Sequence, residues 1–336
     1  MSIQKLDLKT DLARIIKRYF QDLEGLSPTL NYYDQVKNIN SPNELCLKYL
    51  NLTTRLVDPK PREVLKSDLF YCPKRFRTVL ENLENKIKNG EDLTPYLSSR
   101  VGWVDDEGGR KDRHRDRLLI AWGIHHIHLG EKKGSNGFIE RTGPLLFVRF
   151  TEEKAYFLII RRHGRRTKKN GQKSKRYHYP WNRQFFIDIL HNNWSDSIRD
   201  NEVGLEYEAP SDEEIKQWMR GYINVPPKTK NGTAYFGPGS GFTLSGDSID
   251  NVRTCHHIFR CLESTEGYLR DNATEFVKLS DQMGAQVGGS LEFRMDLFEL
   301  IGSRVRFEIL EKNSQVWVDY EEGKPLRLRI KPKNNL

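Results

Sequence analysis

Cysteine is scarce in this sequence, with four in 336 residues. Cys46, Cys72, Cys255 and Cys261 are widely separated, and no two of them form a Cys-x-x-Cys pair. Thiols this few and this scattered do not form the disulfide framework of a small secreted protein. We therefore expect four free thiols packed in the core.

Long apolar runs are also lacking. No stretch approaches the roughly 18–20 consecutive apolar residues that a membrane-spanning helix needs, and the opening Met-Ser-Ile-Gln-Lys lacks the apolar core of a signal peptide. Hydrophobic residues nevertheless make up 37% of the chain, which is enough for a core. The sequence predicts a folded cytoplasmic protein with no membrane partner.

A phosphate-binding loop is missing as well. The glycine-rich segment Gly237-Pro238-Gly239-Ser240-Gly241 is not followed by Gly-Lys-Ser/Thr. Together with Pro226-Pro227 it predicts a flexible linker over residues 226–241. The linker marks the last of the domain boundaries that we expect.

The remaining pattern predicts an α+β protein with three domains. Residues 1–100 form an N-terminal helical domain, and residues 101–225 form a basic, histidine-rich domain with a small antiparallel sheet and helices. Residues 242–336 form a C-terminal α+β domain with a β-meander.

Helix signals are clear in the first hundred residues. Apolar residues share a helical face from Leu12 to Phe20 and again from Phe76 to Ile87, where Asn89-Gly90 ends the helix. Between them, Ser41-Pro42-Asn43-Glu44 combines an N-cap serine, a proline at the first helical position and a glutamate three residues after the cap.

The later segments divide into expected strands and expected helices. The strand segments are Leu118 to Leu129, Gly143 to Phe150, Ala155 to Arg162, Val305 to Ile309, Val316 to Tyr320 and Leu326 to Ile330. The helical segments are Trp181 to Trp194, a helix capped by Ser211 and Glu214, and Ser248 to Leu262.

Positive charge is concentrated in one part of the chain. Residues 110–186 contain 20 Lys and Arg against six Asp and Glu, an excess of 14, although the net charge of the whole chain is only +9. A concentrated excess of this kind is typical of proteins that bind the phosphate backbone of nucleic acid. The alternative is a solvated charged surface without a ligand.

Histidines crowd into the same segment, above all in Gly123-Ile124-His125-His126-Ile127-His128-Leu129. If these residues form a strand, the two-residue alternation places His126 and His128 on one face and His125 on the other. At the end of another expected strand, Arg161 and His163 likewise share a face.

Two chemistries use such an arrangement. In the first, one histidine removes the proton of an RNA 2′-hydroxyl, a second protonates the leaving 5′-oxygen, and an Arg or Lys stabilises the charged phosphorane. In the second, His126, His128 and His163 bind a divalent metal ion together with a carboxylate such as Glu131.

The scarcity of acids favours chemistry without a metal ion or other cofactor. Between residues 117 and 186 the only carboxylates are Glu131, Glu140, Glu152 and Glu153, and the last two have the character of turn residues. Metal-dependent phosphodiesterases usually need several carboxylates. A structural role, in which the histidines fill a sheet and bond to the backbone, remains the alternative to both chemistries.

The pattern His126-x-His128, followed by short strands and a strand-end Arg-Arg-His-Gly, resembles the small metal-independent endoribonuclease toxins of the barnase, EndoU, colicin and RelE type. The resemblance covers about residues 110–200. It implies catalytic roles for His126, His128 and His163, with Arg161 and Arg162 as phosphate ligands. It also implies that the flanking domains are sensing or inhibitory modules, or contact such a partner, in a toxin or phage-defence effector.

A basic loop follows the expected hairpin and has Asn170-Gly171 at its centre. Its cations can bind phosphates, and the aromatic residues after it can stack on unpaired bases. The nucleic-acid-binding residues predicted here are Arg165, Arg166, Lys168, Lys169, Lys173, Lys175, Arg176, Tyr177 and Tyr179.

The sequence thus predicts a ribonuclease, with RNA favoured over DNA. The alternatives are a metal-dependent nuclease and a nucleic-acid-binding regulatory protein that does not cut. The segment Cys255-His256-His257, with Cys261, lies in an expected amphipathic helix and does not match the usual zinc-ligand spacings.

Overall fold

The computed structural model describes residues 2–26, 31–98, 101, 116–141, 143–162, 168–169, 172–173, 184–204, 206–208, 210–221, 223–237 and 239–330. The fold is α+β, as the sequence predicts. The chain divides into two compact units: the first unit comprises Met1–Leu50 and Asn251–Leu336, and the second unit comprises Asn51–Asp250.

The described residues form nine α-helices and thirteen strands. The helices are α1 (Leu8–Leu26), α2 (Tyr32–Val36), α3 (Pro42–Thr53), α4 (Arg77–Asn89), α5 (Arg117–Trp122), α6 (Phe185–Trp194), α7 (Asp212–Arg220), α8 (Ile249–Asp271) and α9 (Ala273–Gln282). The strands are β1 (Ser2–Lys5), β2 (Glu63–Lys66), β3 (His125–His128), β4 (Pro144–Phe150), β5 (Lys154–Arg162), β6 (Lys168–Lys169), β7 (Gln172–Lys173), β8 (Glu202–Val203), β9 (Ala234–Tyr235), β10 (Ser290–Ile301), β11 (Arg304–Glu311), β12 (Val316–Glu321) and β13 (Arg327–Ile330).

The first unit is built on a five-stranded sheet in the order β1-β10-β11-β12-β13. Strands β11, β12 and β13 form the predicted antiparallel meander, and β10, which was not predicted, pairs antiparallel with β11. Strand β1 pairs in parallel with β10, with Ser2 opposite Ser290. Helix α1 packs on β10, where the Asp11 carboxylate accepts a hydrogen bond from the Met295 amide at 2.8 Å.

The helix signals of the N-terminal segment are confirmed. Leu12, Ile16 and Phe20 on α1 are fully buried, as the apolar spacing predicts. Helix α3 begins at Pro42, and the Ser41 hydroxyl accepts a hydrogen bond from the Glu44 amide at 3.3 Å. Helix α4 ends at Gly90, whose φ of 72° lies in the left-handed region that glycine adopts without strain.

The second unit contains a four-stranded sheet in the order β2-β5-β4-β3. Strands β3, β4 and β5 are antiparallel, and β2 pairs in parallel with β5. Helix α6 packs its buried face on the sheet, with the rings of Phe186 and Phe147 5.0 Å apart. The capping box of α7 is confirmed by hydrogen bonds between Ser211 and Glu214 in both directions.

The expected strand from Leu118 to Leu129 is wrong in its first half. Residues Arg117–Trp122 form helix α5, and only His125–His128 form a strand. The Asp116 side chain caps α5 by accepting a hydrogen bond from the Leu119 amide at 3.2 Å, and Gly123 ends it with a φ of 63°. Leu118, Leu119 and Ala121 between these two signals are strong helix formers, so the local sequence favours a helix despite the β-propensity of Ile120 and Trp122.

Residues 226–241, expected to be a flexible linker, are instead packed within the second unit. Strand β9 pairs with β8, and the Tyr235 ring is buried in the core cluster that α6 covers. Gly239 passes so close to α5 that a Cβ atom there would lie 2.1 Å from the Ile120 carbonyl oxygen. The glycines serve close packing at this position rather than flexibility.

The compact units also differ from the three consecutive domains that we expected. Strand pairing explains the difference, because β1 from the N-terminus completes the C-terminal sheet while β2 joins the histidine-rich sheet. Helices α3 and α8 carry the chain from one unit into the other. Of the helices in the described ranges, none combines the length and apolarity required to cross a lipid bilayer.

Candidate functional site

Two of the predicted histidines lie on one face of the second unit's sheet. Strand β3 pairs with β4 so that His126 lies opposite Phe147 and His128 opposite Leu145. The rings of His126 and His128 are 6.2 Å apart, as expected for positions i and i+2 of a strand. His126 is partly buried and His128 is 4% exposed.

Asp116, which was not among the residues predicted from the sequence, contacts one histidine of this pair. Asp116 Oδ2 lies 3.0 Å from His126 Nδ1, while Oδ1 of the same carboxylate caps α5. The short helix and the turn at Gly123 fold the chain back on itself, so that the residue before α5 meets the strand after it. An aspartate directly before an apolar helical turn is an N-cap signal, and this signal identifies Asp116 in the sequence.

The electrostatics of the cluster follow from burial and from these contacts. Burial alone would raise the pKa of the Asp116 carboxyl, but the charge of His126, its hydrogen bond and the Leu119 amide together hold that pKa below its usual value. Asp116 is therefore ionised at neutral pH.

His125 lies next to this pair but differs in environment. Its ring makes an edge contact with Phe150 at 5.4 Å, and Arg62 approaches the same Phe150 ring at 5.6 Å. Burial lowers the pKa of His125 to about 4, so the side chain is neutral at physiological pH. We interpret His125 as a packing residue rather than a proton carrier.

Arg161 is brought to the same face as the histidine pair. It lies opposite Leu145 on β4, which in turn lies opposite His128 on β3. Two strand spacings separate Arg161 from His128, about 10 Å between their backbones. The Arg161 side chain is exposed, and its guanidinium lies 4.7 Å from the centre of the Phe185 ring. Stacking on the ring holds the cation at the surface.

The other predicted residues fall partly or wholly outside the described part of the chain. Of Arg162, Lys168, Lys169 and Lys173 only the backbone is described: Arg162 ends β5, and the lysines lie in the hairpin of β6 and β7, with Lys168 opposite Lys173. The residues that lie outside the described ranges are His163, Arg165, Arg166, Lys175, Arg176, Tyr177 and Tyr179.

The alternative metal site predicted from the sequence consists of His126, His128, His163 and Glu131. The described residues do not bring these ligands together. Glu131 is exposed, and within the described ranges His126 and His128 do not belong to a group of three close ligand atoms. His163, the remaining residue of that alternative, is one of those outside these ranges.

No protein-family model, curated protein or solved structure matches this chain. Its function must therefore be inferred from the chemistry of its own residues.

A further histidine, His191, lies on α6. His191 Nδ1 is 2.6 Å from the Tyr235 hydroxyl oxygen, and Nε2 is 2.7 Å from the side-chain nitrogen of Asn231. Both ring nitrogens are thus engaged by partners from the segment around β9. Since nothing is left on the ring for a substrate, we interpret His191 as a residue that fixes α6 to this segment.

Proposed function

We propose that this protein acts on nucleic acid as an endoribonuclease that needs no metal ion. One observation carries the proposal: the Asp116 carboxylate lies 3.0 Å from His126 Nδ1, next to His128, in the segment that holds the excess of positive charge. A carboxylate at one imidazole nitrogen orients the ring and stabilises the imidazolium that forms when the other nitrogen takes a proton. His126 is therefore the preferred general base.

The proposed reaction is an internal transesterification. His126 takes the proton of a 2′-hydroxyl as the 2′-oxygen forms a bond to phosphorus. A second histidine, His128 or His163, gives a proton to the 5′-oxygen as its bond to phosphorus breaks. The products are a 2′,3′-cyclic phosphate and a 5′-hydroxyl. Arg161 and Arg162 stabilise the negative charge that builds on the phosphorane. DNA lacks the 2′-hydroxyl, so RNA is the favoured substrate.

The positive charge of the segment supports a phosphate-rich substrate. Lys168 and Lys173 occupy directly opposite positions of the β6–β7 hairpin. A run of Lys and Arg residues along the chain is a common element for binding phosphate groups. We propose that the basic loop of residues 165–176 holds the RNA backbone, with Tyr177 and Tyr179 stacking on its bases.

The decisive experiment incubates the full-length protein with end-labelled RNA and with DNA of the same sequence, each with and without EDTA. We expect cyclic phosphate termini from RNA alone, at the same rate in EDTA. The triple variant His126→Ala, His128→Ala, His163→Ala should produce no cleavage, and the single variants distinguish the proton donor. His256→Ala, at an exposed histidine of the first unit, is the matched control. Undiminished cleavage by the triple variant would refute the proposal.

A second candidate function is RNA binding without cleavage. The observation that favours it is the burial of His128, only 4% exposed, since a proton donor must reach the substrate. This candidate predicts salt-dependent binding with no new termini. The metal-dependent alternative predicts cleavage that EDTA abolishes, so the same experiment separates all three.

A further inference from the structure

A group of three potential metal ligands lies in the first unit, far along the chain from the histidine strand. His257 and Cys261 are four residues apart on α8 and therefore share one face of the helix. Glu322, immediately after β12, meets them from the sheet. His257 Nε2 is 2.9 Å from Glu322 Oε2 and 3.8 Å from Cys261 Sγ.

The surrounding residues hold these side chains in place. The Val305 amide donates to Glu322 Oε2 at 3.1 Å, which fixes the carboxylate. The Tyr320 hydroxyl contacts Cys261, and the Tyr320 ring stacks on Phe307 at 4.3 Å. Metal ligands in proteins commonly have outer hydrogen-bond partners of this kind, which set their orientation.

The three donors suit one class of metal ion. Imidazole nitrogen, thiolate sulfur and carboxylate oxygen together favour Zn²⁺ over Mg²⁺ or Ca²⁺, which prefer oxygen. The three ligand atoms lie within 4.8 Å of one another. Zinc bonds of about 2.0–2.3 Å place tetrahedral ligands about 3.3–3.8 Å apart, so small side-chain adjustments suffice.

We propose that His257, Cys261 and Glu322 bind Zn²⁺. Cys261 is buried, whereas the side chains of His257 and Glu322 are 31% and 33% exposed. The site is thus closed on the thiolate side and open on the other, which leaves the fourth tetrahedral position to water or to a ligand from solution.

The competing interpretation is an ion pair between His257 and Glu322 beside a buried thiol. Arg260 and Arg304 add positive charge near Cys261 and Glu322, respectively, and oppose a cation. The two interpretations differ in one respect: an ion pair needs no thiolate, whereas the zinc site requires Cys261 Sγ as a ligand.

The test uses the full-length protein, stripped with chelator and titrated with Zn²⁺ or Co²⁺. We expect one equivalent of zinc per chain, and an intense near-ultraviolet thiolate-to-cobalt band with Co²⁺. X-ray absorption of the zinc-loaded wild type should show one sulfur at about 2.3 Å and nitrogen or oxygen at about 2.0–2.1 Å. Because this measurement needs no variant, it does not depend on how a substitution affects folding.

Variants assign the ligands. Cys261→Ser, His257→Ala and Glu322→Gln should each weaken zinc binding by more than about 100-fold, since loss of an outer-shell partner alone costs 10–100-fold. His256→Ala, at the exposed neighbour on α8, should bind as the wild type does. A wild type that binds no zinc, a zinc ion without a sulfur ligand, or unchanged binding in Cys261→Ser would each overturn the proposal.

Discussion

The carboxylate of Asp116 lies 3.0 Å from Nδ1 of His126 while its other oxygen caps helix α5. The Asp116 side chain therefore both caps a helix and places a negative charge beside His126. An asparagine at this position separates the two, because asparagine caps a helix as well as aspartate does but carries no charge.

We expect Asp116→Asn to lower RNA cleavage at least about tenfold, since general acid–base catalysis contributes about 10²–10⁴ and depends on the orientation and charge of the base. The free energy of unfolding should fall by less than about 1 kcal/mol. Asp116→Ala should lose about 1 kcal/mol more because it also loses the cap. Chemical denaturation and single-turnover cleavage measure the two effects, and a wild-type cleavage rate in Asp116→Asn would contradict the assignment.

The buried ring of His125 predicts a pH dependence of stability. Its pKa falls from 6.5 to about 4 in the folded state, so only the unfolded chain takes up a proton between these values. The stabilisation is complete above pH 6.5 and is lost as the pH falls toward 4, up to about 3 kcal/mol in all.

Urea unfolding at several values from pH 7 to pH 4.5 measures this loss. His125→Gln carries no titrating group and should show a correspondingly flatter profile, whereas exposed His256→Gln should follow the wild type. Parallel profiles for the wild type and His125→Gln would show that His125 is not the group responsible.

The close approach of Gly239 to α5 predicts a steric cost. In Gly239→Ala the new methyl group would meet backbone oxygens of Ile120 and Leu119 at 2.1 and 2.5 Å, so the backbone must move. We expect a loss of about 1–3 kcal/mol in the free energy of unfolding. In the control Gly204→Ala nothing lies within 4 Å of the new Cβ, and stability should change by less than about 1 kcal/mol. Equal stability of the two variants would count against this packing.

Binding of single-stranded RNA should depend steeply on salt. Each phosphate contact contributes about −0.7 to the slope of log K against log salt concentration, so removal of four contacts should reduce the slope by up to about 3. The variant replaces by glutamine the four lysines Lys168, Lys169, Lys173 and Lys175.

A matched variant removes the same charge from the first unit. It replaces by glutamine the exposed lysines Lys9, Lys37, Lys278 and Lys324. We expect it to keep the wild-type slope in a fluorescence anisotropy titration. A slope that is the same in both quadruple variants would exclude the basic loop as the RNA-binding element.

Features set by neighbouring residues were predictable from the sequence. The capping boxes at Ser41 and Ser211 and the helix end at Gly90 each depend on contacts within a few residues. The shared face of His126 and His128 likewise follows from strand alternation. Helix α5 was missed because the apolar content of Leu118–Leu129 outweighed its capping signals in our interpretation.

Contacts between distant residues were not predictable in this way. Nothing in the spacing of His257 and Cys261 points to Glu322, which reaches them only because the meander returns to α8. The same holds for residues 226–241, which have the composition of a linker although Gly237 and Gly239 lie against α5. The amino-acid composition of a segment indicates how flexible its backbone is, but it does not indicate which element of the fold packs against that segment.

The parallel pairing of β1 with β10 has a consequence for the order of folding. Because Ser2 pairs with Ser290, the sheet of the first unit cannot be completed until most of the chain has been synthesised. The second unit is formed by one continuous stretch, residues 51–250, which constitutes an insertion in the first unit. On the ribosome, we expect the second unit to fold while β1 is still unpaired, because β10 has not yet been synthesised.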